Sequence, residues 1–331
     1  MSTNTPSDPE IDIEHLRGWI GREQQDTDHI DARHAGLVAA TLGVEPERAR
    51  TGQALPPLWH WTWFLEAAAP AGLGPDGHPA RGGFLPPVPL PNRMWAGGDV
   101  EFLAPVPIGA EITKTSRIES VEHKRGRSGD LVFVTVRHLL HQGEHLLVRE
   151  AQNIVYKPAN PPPAEGAAAS ASPADAGRPA ASGQTATSPS GGPAPAPGTA
   201  AYLPSGQLPE PPVPGAHEAR FVPTSTMLFR YSALTFNGHR IHYDQDYCRE
   251  IEGYPNLVIH GPLNATMLAA HAERASGRRL ARFTYRGVAP AILGTAIRLR
   301  ATPGAQANQP WSVDALRDDG EACMRAQAQF G

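Results

Sequence analysis

The sequence predicts an α+β fold built from two similar units, each with one long helix packed against an antiparallel sheet. Three observations lead to this prediction. A long Ala-, Pro-, Ser- and Gly-rich segment divides the chain. In each half, a helix-like segment precedes several short runs rich in β-branched residues. A short internal repeat, APVPIGAEI and APAILGTAI, occurs between helix and strand in both halves.

The dividing segment covers residues 159–205. Its composition cannot bury enough apolar surface to offset the entropy that is lost on ordering. We therefore predict a flexible linker between an N-terminal repeat, residues 1–158, and a C-terminal repeat, residues 206–331. Both repeats have ordinary domain sizes.

The predicted elements follow the same order in the two halves. In the first half, EHLRGWIGREQQ, RHAGLVAATLG and the aromatic run at 57–73 read as helices, the last one buried and ending at Gly72. Four strand-like runs follow, including LVFVTVRHLL with its alternating valines. In the second half, an apolar helix over 261–275 opens at Gly-Pro and is followed by strand-like runs joined by hairpin turns.

Composition excludes several classes of function. The 331 residues are 40% hydrophobic and 19% charged, and the net charge of −4 gives no electrostatic reason to expect nucleic acid or an anionic membrane as partner. No apolar run reaches the length of a membrane span. The two cysteines are too few for a disulfide framework, and the acidic, polar first residues lack the basic start and apolar run that are typical of a signal peptide. We expect a cytoplasmic globular protein without a cofactor.

The stretch RYSALTFNGHRIHYD, residues 230–244, concentrates residues that carry chemistry. Metal binding is one interpretation, since the stretch and its surroundings contain four residues of ligand type: His239, His242, Asp244 and His260. However, no Cys cluster or His-Glu-x-x-His motif is present, so we predict no metal site. Histidines that merely hydrogen-bond within a loop remain a second alternative.

Acid–base chemistry is the third interpretation. His242 can take up and return a proton near neutral pH. Asn237, five residues earlier, can hold a water molecule with its amide. Gly261 begins the predicted apolar helix, where the backbone N–H groups have no intrahelical partner and can bind an oxyanion. Pro262 suits the first turn of that helix.

The stretch RYSALTFNGHRIHYDQDYCREIEGYPNLVIHGPL resembles the hydratase motif of the MaoC-like enoyl-CoA hydratases and hydroxyacyl-thioester dehydratases. These proteins have the hotdog fold, in which an antiparallel sheet wraps a long helix, and some carry two hotdog repeats in one chain. They add water to, or remove it from, the α,β-double bond of an acyl thioester. The resemblance implies a double-hotdog hydro-lyase with an acyl-CoA substrate, and a homodimer is compatible with it.

The resemblance also assigns roles by position. The motif histidine falls on His242, the catalytic aspartate of the family on Asn237, and the His-Gly pair ends at Gly261. Four positions support these residues: His239, Asp244, Tyr247 and His260. Because an amide cannot act as a general base, the substitution at 237 leaves His242 as the proton-transfer group. The first repeat lacks this motif, and we expect it to shape the acyl-CoA pocket without catalysing the reaction.

Within the family, PLWHWTWFL and residues 74–98 resemble the 3-methylfumaryl-CoA (mesaconyl-CoA) hydratase branch. A dicarboxylate-derived acyl group needs a cation, and three arginines are candidates: Arg93, Arg230 and Arg240. We favour Arg93, because it lies with Trp95 in a Gly- and Pro-rich segment, 82–98, that we expect to form a stiff loop over the site. The aromatic residues of 57–73 are expected to be core and only secondarily to line the pocket: Trp59, Trp61, Trp63 and Phe64.

Three other functions remain open from the sequence. The protein can be a general (R)-3-hydroxyacyl-thioester dehydratase, a hotdog acyl-CoA thioesterase, or a CoA-binding partner subunit without activity. Release of free CoA distinguishes the thioesterase from a hydro-lyase. Fold alone does not choose among them.

Overall fold

A computed structural model of the chain describes residues 10–45, 49–126, 129–158, 202–204, 215–306 and 308–331. The predicted linker, 159–205, therefore lies outside the described residues except for 202–204, which form a short strand. The described residues form one eleven-stranded antiparallel sheet with helices packed against it. The predicted α+β class is confirmed.

The first half of the chain supplies five strands of this sheet. They are β1 (Glu23–His29), β2 (Asn92–Phe102), β3 (Glu111–Gly126), β4 (Gly129–Gln142) and β5 (His145–Lys157). Helices α1 (Ile13–Arg17) and α2 (Ala32–Leu42) belong to the same half. Asp31 caps the start of α2 by accepting a hydrogen bond from the backbone N–H of His34.

The second half supplies the other six strands. They are β6 (Tyr202–Pro204), β7 (His217–Phe221), β8 (Leu280–Gly287), β9 (Ile297–Thr302), β10 (Trp311–Leu316) and β11 (Ala322–Phe330). Two helices, α3 (Ser225–Leu234) and α4 (Gly261–Ser276), lie between β7 and β8.

Strand order shows that the two halves are repeats of one unit. The sheet runs β1-β3-β4-β5-β2-β8-β11-β10-β9-β7-β6. From the β2–β8 junction outward, the first half runs β2, β5, β4, β3, β1 and the second half runs β8, β11, β10, β9, β7. Strands at the same distance from the junction are equivalent, so β1 corresponds to β7 and β3 to β9. The two repeats thus form one continuous sheet, as the internal symmetry of the sequence predicts.

Glycine allows the close approach of the strands at this junction. A Cβ added at Gly97 would lie 2.3 Å from the carbonyl oxygen of Tyr285, and one at Gly98 would lie 2.7 Å from its hydroxyl. Only a residue without a side chain fits at Gly97 and Gly98. Beside them, the Arg282 guanidinium on β8 donates to both carboxylate oxygens of Asp99 on β2.

The short internal repeat has the same structural role in both halves. Gly109 and Gly294 have φ angles of 96° and 121°, so each makes a turn that favours glycine. The chain then enters β3 or β9, where Ile112 and Ile297 are both completely buried. The repeat is therefore a turn followed by the first core residue of an equivalent strand.

Helix α4 is the long helix of the structure, and the prediction over 261–275 is confirmed. Its core positions include Leu263, Met267 and Leu268, which pack in the main hydrophobic core beneath the strands of the second repeat. Gly277 ends the helix in the left-handed conformation. The N-terminus of α4 faces the cavity described below.

The predicted helix over 57–73 is wrong. The segment contains only two short 3-10 turns, Trp59–Thr62 and Pro70–Gly72. Leu58 and Phe64 have positive φ angles, which no α-helix accommodates. The aromatic residues are inserted into the core from irregular backbone, so the first repeat has no equivalent of α4 among its described residues.

Two further predictions need correction. EHLRGWIGREQQ is helical only over α1, since the chain continues into strand β1. The segment 82–98 is a loop only up to Pro91, because β2 begins at Asn92 and carries Arg93 and Trp95.

Among the described residues, no helix has both the length and the apolar character needed to cross a membrane.

Candidate active site

A cavity of about 760 Å³ lies between the two repeats and in front of the N-terminus of α4. The second repeat contributes residues of the motif, including Asn237, His239, His242 and Gly261. The first repeat contributes side chains from its strands and from the loop before β2. Most of the predicted site residues are therefore brought together around one space.

His242 lies in a 3-10 turn, Arg240–His242, and its side chain is 7% exposed. Its Nδ1 lies 2.7 Å from the carbonyl oxygen of Val258, so Nδ1–H is the donor of this hydrogen bond. Nε2 is then the nitrogen that can accept a proton. Burial lowers the pKa of His242 to about 4, so the ring is neutral at pH 7.

His260, the residue before α4, packs its ring against one face of the His242 ring and so helps to orient it. The two rings stack with centroids 3.6 Å apart and planes 18° apart. His260 is 1% exposed, and its Nε2 lies 2.9 Å from the Ser232 hydroxyl on α3. Burial holds the pKa of His260 well below its usual value, so the stacked pair carries no charge repulsion.

Asn237 shapes the turn that carries the two motif histidines. Its Oδ1 accepts a hydrogen bond from the backbone N–H of His239 at 3.0 Å. Phe236 before it has a φ angle of 46°, so the chain turns sharply out of α3. The Asn237 amide nitrogen is left to contact water or substrate in the cavity.

Gly261 begins α4 and borders the cavity. A Cβ added at this position would meet no atom within 4 Å, so the space beside the backbone is open. The helix dipole makes this end positive, and Pro262 removes one N–H that would have no intrahelical partner. The geometry fits an oxyanion site at the Gly261 N–H.

Asp244, Tyr247 and Arg240 form a group beside the cavity without lining it. Asp244 accepts hydrogen bonds from the Arg240 guanidinium at 2.7 and 2.9 Å and from the backbone N–H of Tyr247 at 3.0 Å. The Arg240 guanidinium also lies 4.2 Å from the centre of the Tyr247 ring. These contacts fix the turn around His242, and they occupy Arg240 with a carboxylate of the protein.

The other two predicted arginines occupy different environments. Arg93 on β2 borders the cavity, as does its neighbour Trp95. Arg230 is exposed on α3 and does not line the cavity. Of the three arginines, the structure therefore places Arg93 where a substrate can reach it.

The first repeat contributes a pair that sequence reasoning missed, Asp76 and His78. His78 Nδ1 lies 3.0 Å from Asp76 Oδ2, and the His78 ring centroid is 4.1 Å from that of His239. Gly77 has a φ angle of 86°, and a Cβ there would lie 2.0 Å from the carbonyl oxygen of Gly238. The only hint in the sequence is the tripeptide Asp-Gly-His, which has no helix or strand period to place it.

Ligand atoms of Asp76, His78 and His239 lie within 4.8 Å of one another, which makes them a candidate group for a metal. The hydrogen bond between Asp76 and His78 and the packing distance between the two rings account for the arrangement without an ion. We therefore interpret the group as a carboxylate–histidine pair in contact with a second ring.

A polar network lies on the inner face of the first repeat's sheet. Ser116 and Gln152 hydrogen-bond the two ring nitrogens of His138, at 2.8 and 3.0 Å, and all three border the cavity. Glu150 nearby accepts from His60 and from the Trp61 indole. Trp61 itself lines the cavity, the role that the sequence analysis ranks second to core packing. Polar residues thus stand at positions of β3, β4 and β5 where the alternation predicts apolar ones: Ser116, His138, Glu150 and Gln152. This break in the alternation is visible in the sequence.

The paired repeats, the central helix and the histidines at its N-terminus define a double-hotdog protein of the MaoC-like dehydratase class. The profile of the family described as "Hydroxyacyl-thioester dehydratase type 2" matches residues 58–190 and 201–293. The chain belongs to this family, and it is a hydro-lyase that acts on an acyl thioester.

Individual relatives agree with this assignment. The chain is 38% identical over 314 residues to the mesaconyl-C(4)-CoA hydratase of Chloroflexus aurantiacus, covering 95% of this chain and 97% of the relative. A solved MaoC-like dehydratase superposes with a TM-score of 0.61 at 16% identity, covering 95% of this chain and 99% of the other. One from Phytophthora capsici gives 0.60 at 13%, covering 97% and 98%. The structural matches confirm the predicted double-hotdog fold.

Proposed function

We propose that the protein hydrates mesaconyl-C(4)-CoA (3-methylfumaryl-CoA) to the corresponding 3-hydroxyacyl-CoA, in a reversible reaction. The observation that carries this proposal is the position of His242, neutral and with Nε2 available, beside the N-terminus of α4. A base and an oxyanion site then face the same cavity. The similarity to a mesaconyl-C(4)-CoA hydratase over nearly the whole chain supports the choice of acyl group.

The reaction needs three functions from the second repeat. The Gly261 N–H binds the thioester carbonyl oxygen and stabilises the enolate as charge develops. Asn237 holds the water, and His242 takes one of its protons as the oxygen attacks the β-carbon. The supporting residues keep this geometry: His260 by stacking, and Asp244 and Tyr247 through the turn around His242.

Arg93 is the residue we propose for the carboxylate of the acyl group. It borders the cavity, whereas Arg240 is paired with Asp244 and Arg230 lies outside the cavity. A guanidinium can bind a carboxylate through two parallel hydrogen bonds. Trp95, next to it on the cavity wall, provides an apolar surface for the acyl chain.

A panel of enoyl-CoA thioesters tests the function. We expect loss of the absorbance of the conjugated thioester without release of free CoA, fastest with mesaconyl-C(4)-CoA. Free CoA detected with a thiol reagent in step with substrate loss would identify a thioesterase instead. Faster turnover of simple straight-chain enoyl thioesters would favour a general 3-hydroxyacyl-thioester dehydratase.

The domain roles, location and assembly are part of the same proposal. Residues 206–331 form the catalytic repeat and 1–158 the pocket-shaping repeat, joined by the linker 159–205. A cytoplasmic location fits the two buried free cysteines, whose thiol pKa is raised by burial to about 11. We also propose a homodimer, which light scattering on the purified chain can test.

A further inference from the structure

The pair Asp76 and His78 has the geometry of a histidine that is oriented by a carboxylate. Asp76 Oδ2 lies 3.0 Å from Nδ1 of His78, and Oδ1 accepts the backbone N–H of the same residue at 3.1 Å. With Nδ1–H held in this way, Nε2 is the nitrogen left for proton transfer. The His78 side chain is only 19% exposed, and it borders the cavity.

Backbone contacts attach this pair firmly to the motif of the second repeat. The N–H of Arg240 donates to the carbonyl oxygen of Asp76 at 2.9 Å. The ring of His239 lies between, with its centroid 4.1 Å from that of His78 and 5.5 Å from that of His242. The first repeat thus delivers a carboxylate and an imidazole to the turn in which Asn237 replaces the family's acid.

We propose that His78 is the second proton-transfer residue of the hydration, with Asp76 as the carboxylate that balances its charge. This inference rests on the hydration proposed above and goes beyond it, because it divides the two proton transfers between the repeats and so gives the first repeat a catalytic residue in addition to its pocket-shaping role. The first repeat then supplies the carboxylate that is absent at position 237. This carboxylate, Asp76, acts on the reacting atoms through His78 and does not contact them itself.

Nε2 of His242 takes one proton from water while the water oxygen bonds to the β-carbon, and the electrons of the double bond move to the thioester to give an enolate. The imidazolium of His78 gives its proton to the α-carbon, where the enolate electrons form the new C–H bond. One proton then returns from His242 to His78 through water in the cavity. Dehydration runs these steps in reverse.

The charges around His78 explain how it becomes an acid when substrate binds. Burial has the largest effect and leaves the pKa of His78 below its usual value, although the hydrogen bond and charge of Asp76 raise it; repulsion from Arg93 and Arg81 lowers it further. Burial opposes ionisation of Asp76, but contact with His78 outweighs this and holds the pKa of Asp76 well below its usual range. Burial keeps His239 neutral by lowering its pKa. An anionic substrate at Arg93 offsets the repulsion and favours the His78 imidazolium.

The test compares His78→Gln and Asp76→Asn in the full chain, with His145→Gln on an exposed hairpin as the matched control. We expect His78→Gln to lower kcat for mesaconyl-C(4)-CoA by about 10²–10⁴. In wild type, kcat should fall as the pH rises through the pKa of His78, because the imidazolium acid is lost; His78→Gln should remove this fall. In Asp76→Asn the acid form of His78 loses its partner. The pKa of His78 falls, and kcat is lost at a lower pH than in wild type.

Each other outcome is decisive. Activity of His78→Gln within tenfold of wild type refutes the inference but leaves the proposed hydration intact. Lower kcat in both variants with an unchanged pH profile assigns the pair a structural role and also refutes it. Wild-type activity lost on dialysis against a chelator and restored by a divalent metal would make Asp76 and His78 ligands instead. A wild-type chain that hydrates no enoyl-CoA refutes the hydration itself.

Discussion

The imidazole rings of His242 and His260 stack with their centroids 3.6 Å apart, and each ring has one nitrogen held by the second repeat. Protonation of both rings would place two positive charges in contact in a buried site. Burial lowers the pKa of both rings, so the stacked pair is uncharged at neutral pH. This relationship makes His242 the first residue to test.

His242→Ala should reduce kcat by about 10²–10⁴, because the general base that activates water is lost. Rates are measured from the absorbance of the conjugated thioester. His145→Ala, at an exposed position of the β4–β5 hairpin, provides the matched histidine control and should keep full activity. Activity of His242→Ala within tenfold of wild type would eliminate His242 as the base.

Asn237→Asp should keep substantial activity and an unchanged fold. A carboxylate oxygen can accept the hydrogen bond from the His239 N–H as the amide does, and it restores the aspartate of the MaoC-like motif that this stretch resembles. Steady-state kinetics and thermal unfolding of the variant give the answer. Complete loss of activity in a folded protein would mean that the N–H groups of the amide are required, by water or by the substrate.

Gly261→Ala should fold normally and lose activity. The added methyl group meets no protein atom, and Gly261 lines the cavity, so we expect the methyl group to occupy space that the thioester needs. The N–H remains, but the thioester oxygen is kept away from it, and we expect a fall of about 10²–10³ in kcat/KM, similar to the effect of losing one oxyanion donor. Gly36→Ala adds a methyl group to equally open space on α2 and should leave kcat/KM unchanged. Equal activity of the two variants would place the thioester elsewhere.

Arg93→Gln should discriminate between substrates. For mesaconyl-C(4)-CoA we expect kcat/KM to fall roughly 10- to 100-fold, since a hydrogen bond to a charged group contributes about 1.5–3 kcal/mol. A similar enoyl-CoA without the carboxylate should lose much less. Arg230→Gln, on the exposed side of α3, is the control and should change neither value. Equal losses for both substrates would show that Arg93 serves the CoA portion or the fold.

Local sequence signals were sufficient to predict α4 and to bring Asn237, His242 and Gly261 together at one site. The spacing of Asn237, His242 and Gly261 is encoded within one short stretch, and Pro262 with its apolar successors defines the helix start. The repeated Gly-x-x-Ile likewise predicted equivalent strand entries, because a turn glycine and the first core residue are close neighbours in the chain.

The same signals failed where packing overrides local preference. The aromatic run at 57–73 has the composition of a buried helix, yet the positive φ angles at Leu58 and Phe64 insert its rings into the core from irregular backbone. Likewise, the Gly- and Pro-rich composition before β2 concealed that Arg93 lies on a strand, where pairing with β5 fixes the backbone.

By itself, the sequence determined which residues of the second repeat to expect around the site: His242, Asn237 and the start of helix α4 at Gly261. Only the tertiary structure decided that Asp76 and His78 join them, that Arg93 faces the cavity, and that Arg240 is already paired. The physical reason is sequence separation. The contact of His78 with His239 depends on two repeats joining edge to edge at β2 and β8, and no local propensity encodes such a contact.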